Sequence, residues 1–269
     1  VGAAMAVGIG FAMGVPALVL FSLAAVGSAA NVTGGAGGPL AVLLIAIIAA
    51  ELGCLVSKKT KVDIIVTPAV TVLTAKYIGA AASSVGRFLV WTTKLHPFWM
   101  GILVSVVVGV ALTLPISSAA ICAAFGLTGL AGGAAVAGCC AQMVGFAVLS
   151  FRENRWGGIL SQGLGTSMLQ MPNIIKNPKT WLPPIITSAI TGPLATCLFK
   201  MEMNGAAVSS GMGTCGLVGQ IGVITGWYEP SEVAIGHGAA AIHPGFADWL
   251  GLVLICIVLP AVLCWAFGI

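Results

Sequence analysis

Long apolar runs, separated by short polar or glycine-rich segments, extend along the whole chain. Since about 20 apolar residues cross a bilayer, these runs predict membrane-spanning helices. The first run contains several glycines and Pro16, which predict a bent or closely packed helix. The predicted spans are residues 1–30, 40–56, 101–127 with a break or kink at Pro115, 131–151, 181–199 and 249–269.

Two later segments do not fit this pattern. Residues 157–171 are too short and too glycine-rich for a full span, and residues 200–226 are rich in glycine and hydroxyl groups. Irregular backbone is tolerated at membrane depth only where it is buried in protein or lines a cavity. The pattern therefore predicts two re-entrant hairpins, which we place at residues 157–175 and 203–226.

A polar stripe marks one further helix. Lys76, Ser83, Arg87 and Lys94 are separated by 7, 4 and 7 residues, which places them on one helical face. The other faces of this segment are apolar. We predict an amphipathic helix over residues 74–93 that lies in the membrane interface with its basic face toward water.

Composition assigns the chain to the membrane proteins. Hydrophobic residues make up 59% of the 269 residues and charged residues 7%, against roughly a quarter charged in soluble domains. So few charges cannot cover the surface of a soluble fold of this size, and the main solvent must be lipid. We expect a multi-pass protein in the lipid bilayer.

The basic residues indicate orientation. Lys58, Lys59 and Lys61 follow the second predicted span, and Arg152 and Arg155 follow residues 131–151. The positive-inside rule places both loops in the cytoplasm. The net charge of +4 therefore relates to the membrane, and no aromatic-interleaved basic patch suggests nucleic acid.

No catalytic or metal motif is visible. The 8 cysteines lie in apolar or glycine-rich segments without a C-x-x-C pair, which is typical of small buried hydrophobic residues. His237 and His243 are six residues apart and no acid completes a metal motif, which leaves ligand hydrogen bonding or a solvated loop. No G-x-S-x-G, Walker or H-E-x-x-H motif is present, so we expect no catalytic residue, metal or cofactor.

Since the chain starts at Val1 inside an apolar run, we also expect a piece of a longer protein.

The two predicted hairpins share a short motif. Residues 161–166, SQGLGT, align with residues 209–214, SSGMGT, as S-x-G-Φ-G-T. With 37 glycines in the chain, chance composition is one explanation. The other is that paired hairpins converge from two parts of the fold and offer backbone amides to a ligand.

Glu202 is the strongest candidate for a functional carboxylate. It follows a predicted span and precedes the second hairpin, with Lys200 and Asn204 beside it. A carboxylate in membrane-like sequence is a site hypothesis, although an acid at a helix end is also common at the interface. Glu51 is a weaker candidate because it lies near its helix end, where it could snorkel or pair with a lysine.

The region that contains Glu202 resembles a known family. Residues 177–222, NPKTWLPPIITSAITGPLATCLFKMEMNGAAVSSGMGTCGLVGQIG, are similar to the signature region of EIIC-like membrane proteins grouped with the perfringolysin regulatory protein. These resemble the sugar-translocating EIIC subunits of the bacterial phosphoenolpyruvate-dependent phosphotransferase system. The chain departs from better-known sugar EIIC subunits because it has no Gly-Ile-Thr-Glu-Pro type of motif.

The resemblance implies an all-α, polytopic, EIIC-like helical bundle that forms a homodimer in the bacterial inner membrane. Residues 1–151 would form an N-terminal helical scaffold with the dimer contact, shortened at its start. Residues 152–269 would form the substrate-binding part with both hairpins. Since no EIIB-like segment with a phosphorylatable cysteine is present, any phosphoryl transfer would need separate EIIB-like and EIIA-like proteins.

The first functional hypothesis is a carbohydrate permease that works by alternating access. A neutral polyol suits amides and hydroxyls together with one carboxylate that accepts two hydroxyl hydrogen bonds. Two alternatives are a sensor or regulator that keeps the fold but transports nothing, and an ion or anion transporter, against which the carboxylate argues mildly. The candidate substrate-binding residues are Gln162, Thr166, Glu202, Asn204, Ser209, Thr214, Gln220 and His237.

Overall fold

The computed structural model is helical throughout its regular parts. One isolated antiparallel bridge, between Gly129 and Met203, is present besides the helices in the described chain. This agrees with the predicted all-α class. The structure describes residues 2–33, 38–59, 84, 88, 91–93, 95–114 and 116–268. The stripe of Lys76, Ser83, Arg87 and Lys94 lies outside those residues, as does most of the predicted amphipathic helix.

The chain divides into two compact units. The first comprises Val1–Ser84 and Pro115–Ser117, and the second comprises Val85–Leu114 and Ser118–Ile269. The hairpin candidates and all eight candidate binding residues belong to the second unit.

The described residues of the first unit include three helices, α1 (Gly2–Ala12), α2 (Ala17–Thr33) and α3 (Gly38–Lys59). The first apolar run is therefore two helices rather than the one bent span that we predicted. It breaks before α2, where Gly14 has a φ of +67° and Pro16 cannot donate a backbone hydrogen bond. α1 and α2 pack through Gly2 and Gly27, since a Cβ on either glycine would overlap the other helix. Glu51 is exposed on α3.

α6 (Gly129–Leu149) is the central helix of the second unit. It is preceded by α4 (Pro97–Thr113) and α5 (Ser118–Ala124), so the predicted break near Pro115 falls between two helices. Pro115 itself lies outside the described residues. Most of α6 is buried, and its many small residues allow neighbouring helices to approach closely.

Glycine contacts set the distance between α4, α6 and α9 (Leu182–Pro193). A Cβ at Gly138 of α6 would overlap the carbonyl of Ser105 on α4. A Cβ at Gly192 of α9 would likewise overlap the carbonyl of Gly101 on α4. These three helices therefore form a tightly packed group that supports the rest of the unit.

Irregular helical segments fill the remainder of the second unit. Three stretches of the described chain are long and apolar enough to cross a membrane, Gly129–Leu149, Pro178–Leu198 and Phe246–Phe267, in agreement with three of the predicted spans. The elements after α6 are α7 (Phe151–Gly158), a π-helical turn Ile159–Gly165, a 3-10 turn Ser167–Gln170, α8 (Met171–Lys176), a 3-10 turn Pro178–Trp181, α9, a π-helical turn Leu194–Leu198, 3-10 turns Ala207–Gly211 and Cys215–Leu217, α10 (Val218–Tyr228), α11 (Glu232–Gly236), α12 (Phe246–Val253), a π-helical turn Leu254–Val258 and α13 (Leu259–Phe267).

Candidate functional site

The second hairpin begins at the N-terminal end of α6 and follows that helix inward. Met203 and Gly129 exchange two backbone hydrogen bonds of 3.0 Å. Further along the chain, Gly213 lies against Cys139 of α6. Ten helical residues separate Gly129 from Cys139, so the hairpin reaches about 15 Å along α6.

The chain then turns and returns as α10. The turn occupies residues 213–217, which include three positive φ angles. On the returning arm, Gly222 packs against Ser209 and Gly226 packs against Gly205. The two arms therefore lie antiparallel and form a hairpin.

Gln220 holds the turn of the second hairpin. In the amide orientation that satisfies both of its ends, the nitrogen donates to the carbonyls of Gly213 at 3.1 Å and Leu217 at 3.3 Å. Leu217 has a φ of +59°, which is strained for a residue with a branched side chain. The Gln220 side chain thus stabilises irregular backbone in this conformation.

The first hairpin enters from the opposite end of α6. Just after that end, the Ser150 hydroxyl donates to Gln162 Oε1 at 3.2 Å. Gly163 then lies beside Ala147, where an added Cβ would stand 3.4 Å from the alanine methyl group. Residues 158–163 therefore run back along the last turns of α6.

Hydroxyl groups define the tip of the first hairpin. Thr166 has extended backbone, and its Oγ1 accepts the N–H of Met168 at 3.2 Å, which starts the next 3-10 turn. The adjacent Ser167 lies 2.9 Å from the hydroxyl of Thr113 on α4. Thr113 in turn donates to Gln142 of α6 at 3.2 Å. Gln142 precedes the end of α6 by seven residues, so the tip reaches about 10 Å along the helix.

The two hairpins meet beside the middle of α6. The buried Thr214 hydroxyl donates to the carbonyl of Gly163, which joins the SSGMGT and SQGLGT motifs directly. The motifs differ in backbone: Gly213 has a φ of +54°, whereas none of residues 161–166, all described, has a positive φ. The two motifs therefore lie next to each other in the fold, but their backbones have different local conformations.

Glu202, Asn204 and His237 lie at the N-terminal end of α6. Glu202 is exposed, and the Asn204 amide nitrogen donates to its Oε2 at 2.9 Å. Asn204 is 6% exposed, and its Oδ1 is buried without a hydrogen-bond partner. His237 Nδ1 lies 3.2 Å from the hydroxyl of Thr128, which immediately precedes α6. An unpaired buried acceptor beside a carboxylate offers a binding position for a hydroxyl or amide donor.

The eight predicted binding residues thus form three sets. Glu202, Asn204 and His237 lie at one end of α6. Ser209, Thr214 and Gln220 belong to the second hairpin, and Gln162 and Thr166 belong to the first. Thr214 links the two hairpin sets through its bond to Gly163. Glu202 also lines a cavity of about 240 Å³ together with Lys200, Asp248 and Trp227.

A buried polar cluster around Gln142 was not predicted from the sequence. Gln142 is fully buried, and its Oε1 accepts the indole N–H of Trp181 at 2.9 Å as well as the Thr113 hydroxyl. Its amide nitrogen donates to the hydroxyl of Ser188 on α9 at 3.5 Å. The available signal was one side-chain amide, Gln142, within an otherwise apolar helix. Burying such an amide costs free energy unless it is hydrogen-bonded.

A larger cavity of about 750 Å³ was also not predicted from the sequence. It lies at the C-terminal end of α6 and collects side chains from distant segments, so no local motif indicates it. The lining combines apolar rings with amides, hydroxyls and charges: Phe146, Leu149, Ser150, Glu153, Asn154, Gln170, Asn173, Asn177, Lys179, Thr180, Pro183, Phe267 and Gly268.

Comparison with known proteins identifies the family. The family model described as "Phosphotransferase system, EIIC" matches residues 1–269. No curated protein and no solved structure matches the chain. The match agrees with the apolar helices and with the resemblance of the chain to EIIC subunits. The protein therefore belongs to the EIIC family of the phosphotransferase system and is a membrane component of sugar transport.

Proposed function

We propose that the protein is a permease that moves a carbohydrate across the bacterial cytoplasmic membrane by alternating access. One observation carries this proposal. Two hairpins begin at opposite ends of α6, run along it toward each other and contact through Thr214 and Gly163. Broken helical segments in transporters surround substrate sites near the middle of the membrane. The contact between Thr214 and Gly163 would close the substrate path on one side of such a site, and it must open for transport.

Substrate recognition is assigned to the polar groups of the hairpins and of the α6 end. Glu202 accepts two hydroxyl hydrogen bonds, and the unpaired Oδ1 of Asn204 accepts a third. Ser209, Thr214, Gln220, Gln162, Thr166 and His237 supply further groups along the route. Several of them hold the hairpins in the described state, so they exchange those bonds for substrate when the hairpins separate.

The family membership supports, as part of the proposal, the following assembly. Residues 1–151 act as scaffold and homodimer contact, and residues 152–269 carry the substrate. An EIIB-like protein phosphorylates the sugar, as in phosphotransferase systems in general.

Counterflow in liposomes tests the proposal without the partner proteins. The purified chain is reconstituted with internal unlabelled sugar, and the uptake of labelled hexoses, hexitols and N-acetylhexosamines is followed. Replacing a carboxylate acceptor removes a charge-assisted hydrogen bond of about 1.5–3 kcal/mol, so Glu202→Gln lowers uptake roughly tenfold or more. Glu229→Gln, at another exposed carboxylate, serves as the control and keeps the wild-type rate. Counterflow that is equal in wild type and Glu202→Gln contradicts the site, and an absence of flux for every sugar contradicts the function.

A further inference from the structure

The cavity of about 750 Å³ lies at the end of α6 opposite to Glu202. Ligand cavities for small molecules commonly measure about 300–1,000 Å³, so it has room for a monosaccharide or disaccharide. It lies where Arg152, Arg155, Lys176 and Lys179 cluster along the chain. The positive-inside rule assigns this end of the second unit to the cytoplasm.

The lining has the chemistry of a polyol site. Amides of Asn154, Gln170, Asn173 and Asn177 both donate and accept hydrogen bonds, which matches the mixed character of sugar hydroxyls. One carboxylate, Glu153, and one ammonium, Lys179, contribute opposite charges. Because these charges balance, the cavity favours a neutral solute over an anion or a cation.

Part of the cavity wall is held in place before any ligand binds. Gln170 is 9% exposed, and its Oε1 accepts the amide N–H of Asn173 at 2.8 Å. Asn177 accepts from the Lys179 backbone at 3.3 Å and from the Thr180 hydroxyl at 2.9 Å. Pre-organised polar groups reduce the entropy lost on binding.

The cavity also contacts the first hairpin. Ser150 lines it and donates to Gln162, and Phe146 lines it one helical turn after the buried Gln142. A ligand in the cavity would therefore lie next to the polar groups that anchor the first hairpin.

We infer that this cavity is a second carbohydrate site, which holds a neutral sugar on the cytoplasmic side after it leaves the Glu202 end. The inference rests on the proposed function. Phe146 and Phe267 offer apolar surfaces to the ring, while Asn173, Gln170 and Glu153 bind hydroxyls. A sugar held here is accessible to a phosphoryl donor from the cytoplasm, whereas a sugar beside Glu202 is at the other end of α6.

Protection from chemical labelling tests the site directly. Thr180→Cys places a thiol on the cavity wall, in a background where Cys54, Cys197 and Cys215, the cysteines that are not buried, are changed to serine and Glu202 to glutamine. The purified chain in nanodiscs is treated with a maleimide, with and without glucose, mannose, galactose, N-acetylglucosamine or mannitol. We expect at least one of these neutral sugars to slow the modification of the new thiol, and Asn173→Ala to raise the required sugar concentration roughly tenfold. Lys176→Ala, on the same helix as Asn173 but outside the lining, is the matched control and leaves protection unchanged.

The outcomes separate this inference from the proposed function. If the wild type shows sugar counterflow but no sugar protects the thiol of Thr180→Cys, the second site is wrong and the proposed permease function is unaffected. Protection by inorganic phosphate or hexose 6-phosphate alone overturns the assignment of a neutral ligand. Absence of counterflow and of protection for the whole panel overturns both.

Discussion

The two hairpins carry the same six-letter motif but are held against α6 in different ways. The first is anchored by side chains, through Ser150 to Gln162 and through Thr113 to Ser167. The second is anchored by close backbone contact, because Gly213 lies against Cys139 with no room between them for a side chain. Its turn is closed by a backbone bond of 2.9 Å from Gly219 to the carbonyl of Gly213.

This difference shows that glycine has two separate uses in the motif. In the second hairpin a glycine is required by both a positive φ and a neighbouring helix backbone. In the first hairpin Gly163 has a helical environment with ordinary clearance, and its buried carbonyl, which accepts the Thr214 hydroxyl, is the feature that matters. Substituting one motif glycine in each hairpin, Gly213 at the second glycine position and Gly163 at the first, should therefore separate the two hairpins.

The largest expected difference is between Gly213→Ala and Gly163→Ala. At Gly213 the new methyl would lie 2.6 Å from Cys139 Cβ, and the φ of +54° adds backbone strain. Together these effects cost roughly 2–4 kcal/mol. At Gly163 the methyl would meet Ala147 at 3.4 Å, and replacing glycine in helical backbone stabilises by roughly 0.5–1 kcal/mol before any adjustment.

Thermal unfolding of both variants in the same detergent measures this contrast. We expect Gly213→Ala to lower the Tm clearly or to fail to accumulate, while Gly163→Ala stays near wild type. Equal Tm values for the two variants would show that the hairpins are held in the same way.

The sequence indicates where the irregular segments occur but not the contacts that hold them. Glycine density and short apolar length marked residues 157–175 and 203–226, because irregular backbone needs both features. The Thr214 bond to Gly163 and the Gln142 cluster join residues that are far apart along the chain, and a lone glutamine does not name its partners. The division of the first apolar run into α1 and α2 was missed because its turn is short and apolar throughout. The cavity near Asn173 was missed for the same reason as the Gln142 cluster.

Gln142→Leu tests the side-chain anchoring of the first hairpin. Leucine has a similar size but removes the acceptor of the half-buried Trp181 indole N–H and one acceptor of the Thr113 hydroxyl, which can still donate to the Gly109 carbonyl. The expected cost is roughly 1–3 kcal/mol in total. Because Thr113 also contacts Ser167, we expect faster hydrogen exchange over residues 159–170 and little change over residues 207–217.

Gln220→Leu is the reciprocal variant. It removes the donor to the carbonyls of Gly213 and Leu217, so exchange should rise over residues 213–217 and not at the first hairpin tip. Mass spectrometry of exchange in nanodiscs resolves both segments. If either variant loosens both hairpins equally, the two anchoring systems are not independent.

Thr214→Val gives the smallest expected loss of stability and tests the link between the hairpins. Valine keeps the branched shape but removes one buried hydrogen bond, worth about 1 kcal/mol, and leaves the Gly163 carbonyl without this donor. Since that bond connects both hairpins, exchange should rise modestly in both segments, unlike the effect of Gln142→Leu or Gln220→Leu. Thr214→Ser retains the hydroxyl and should restore the wild-type pattern. Thr166→Val removes a local turn cap instead, so its effect should stay within residues 166–170. A Thr214→Val effect that is confined to one hairpin would mean that the contact does not couple their motions, and alternating access would then need a different closing contact.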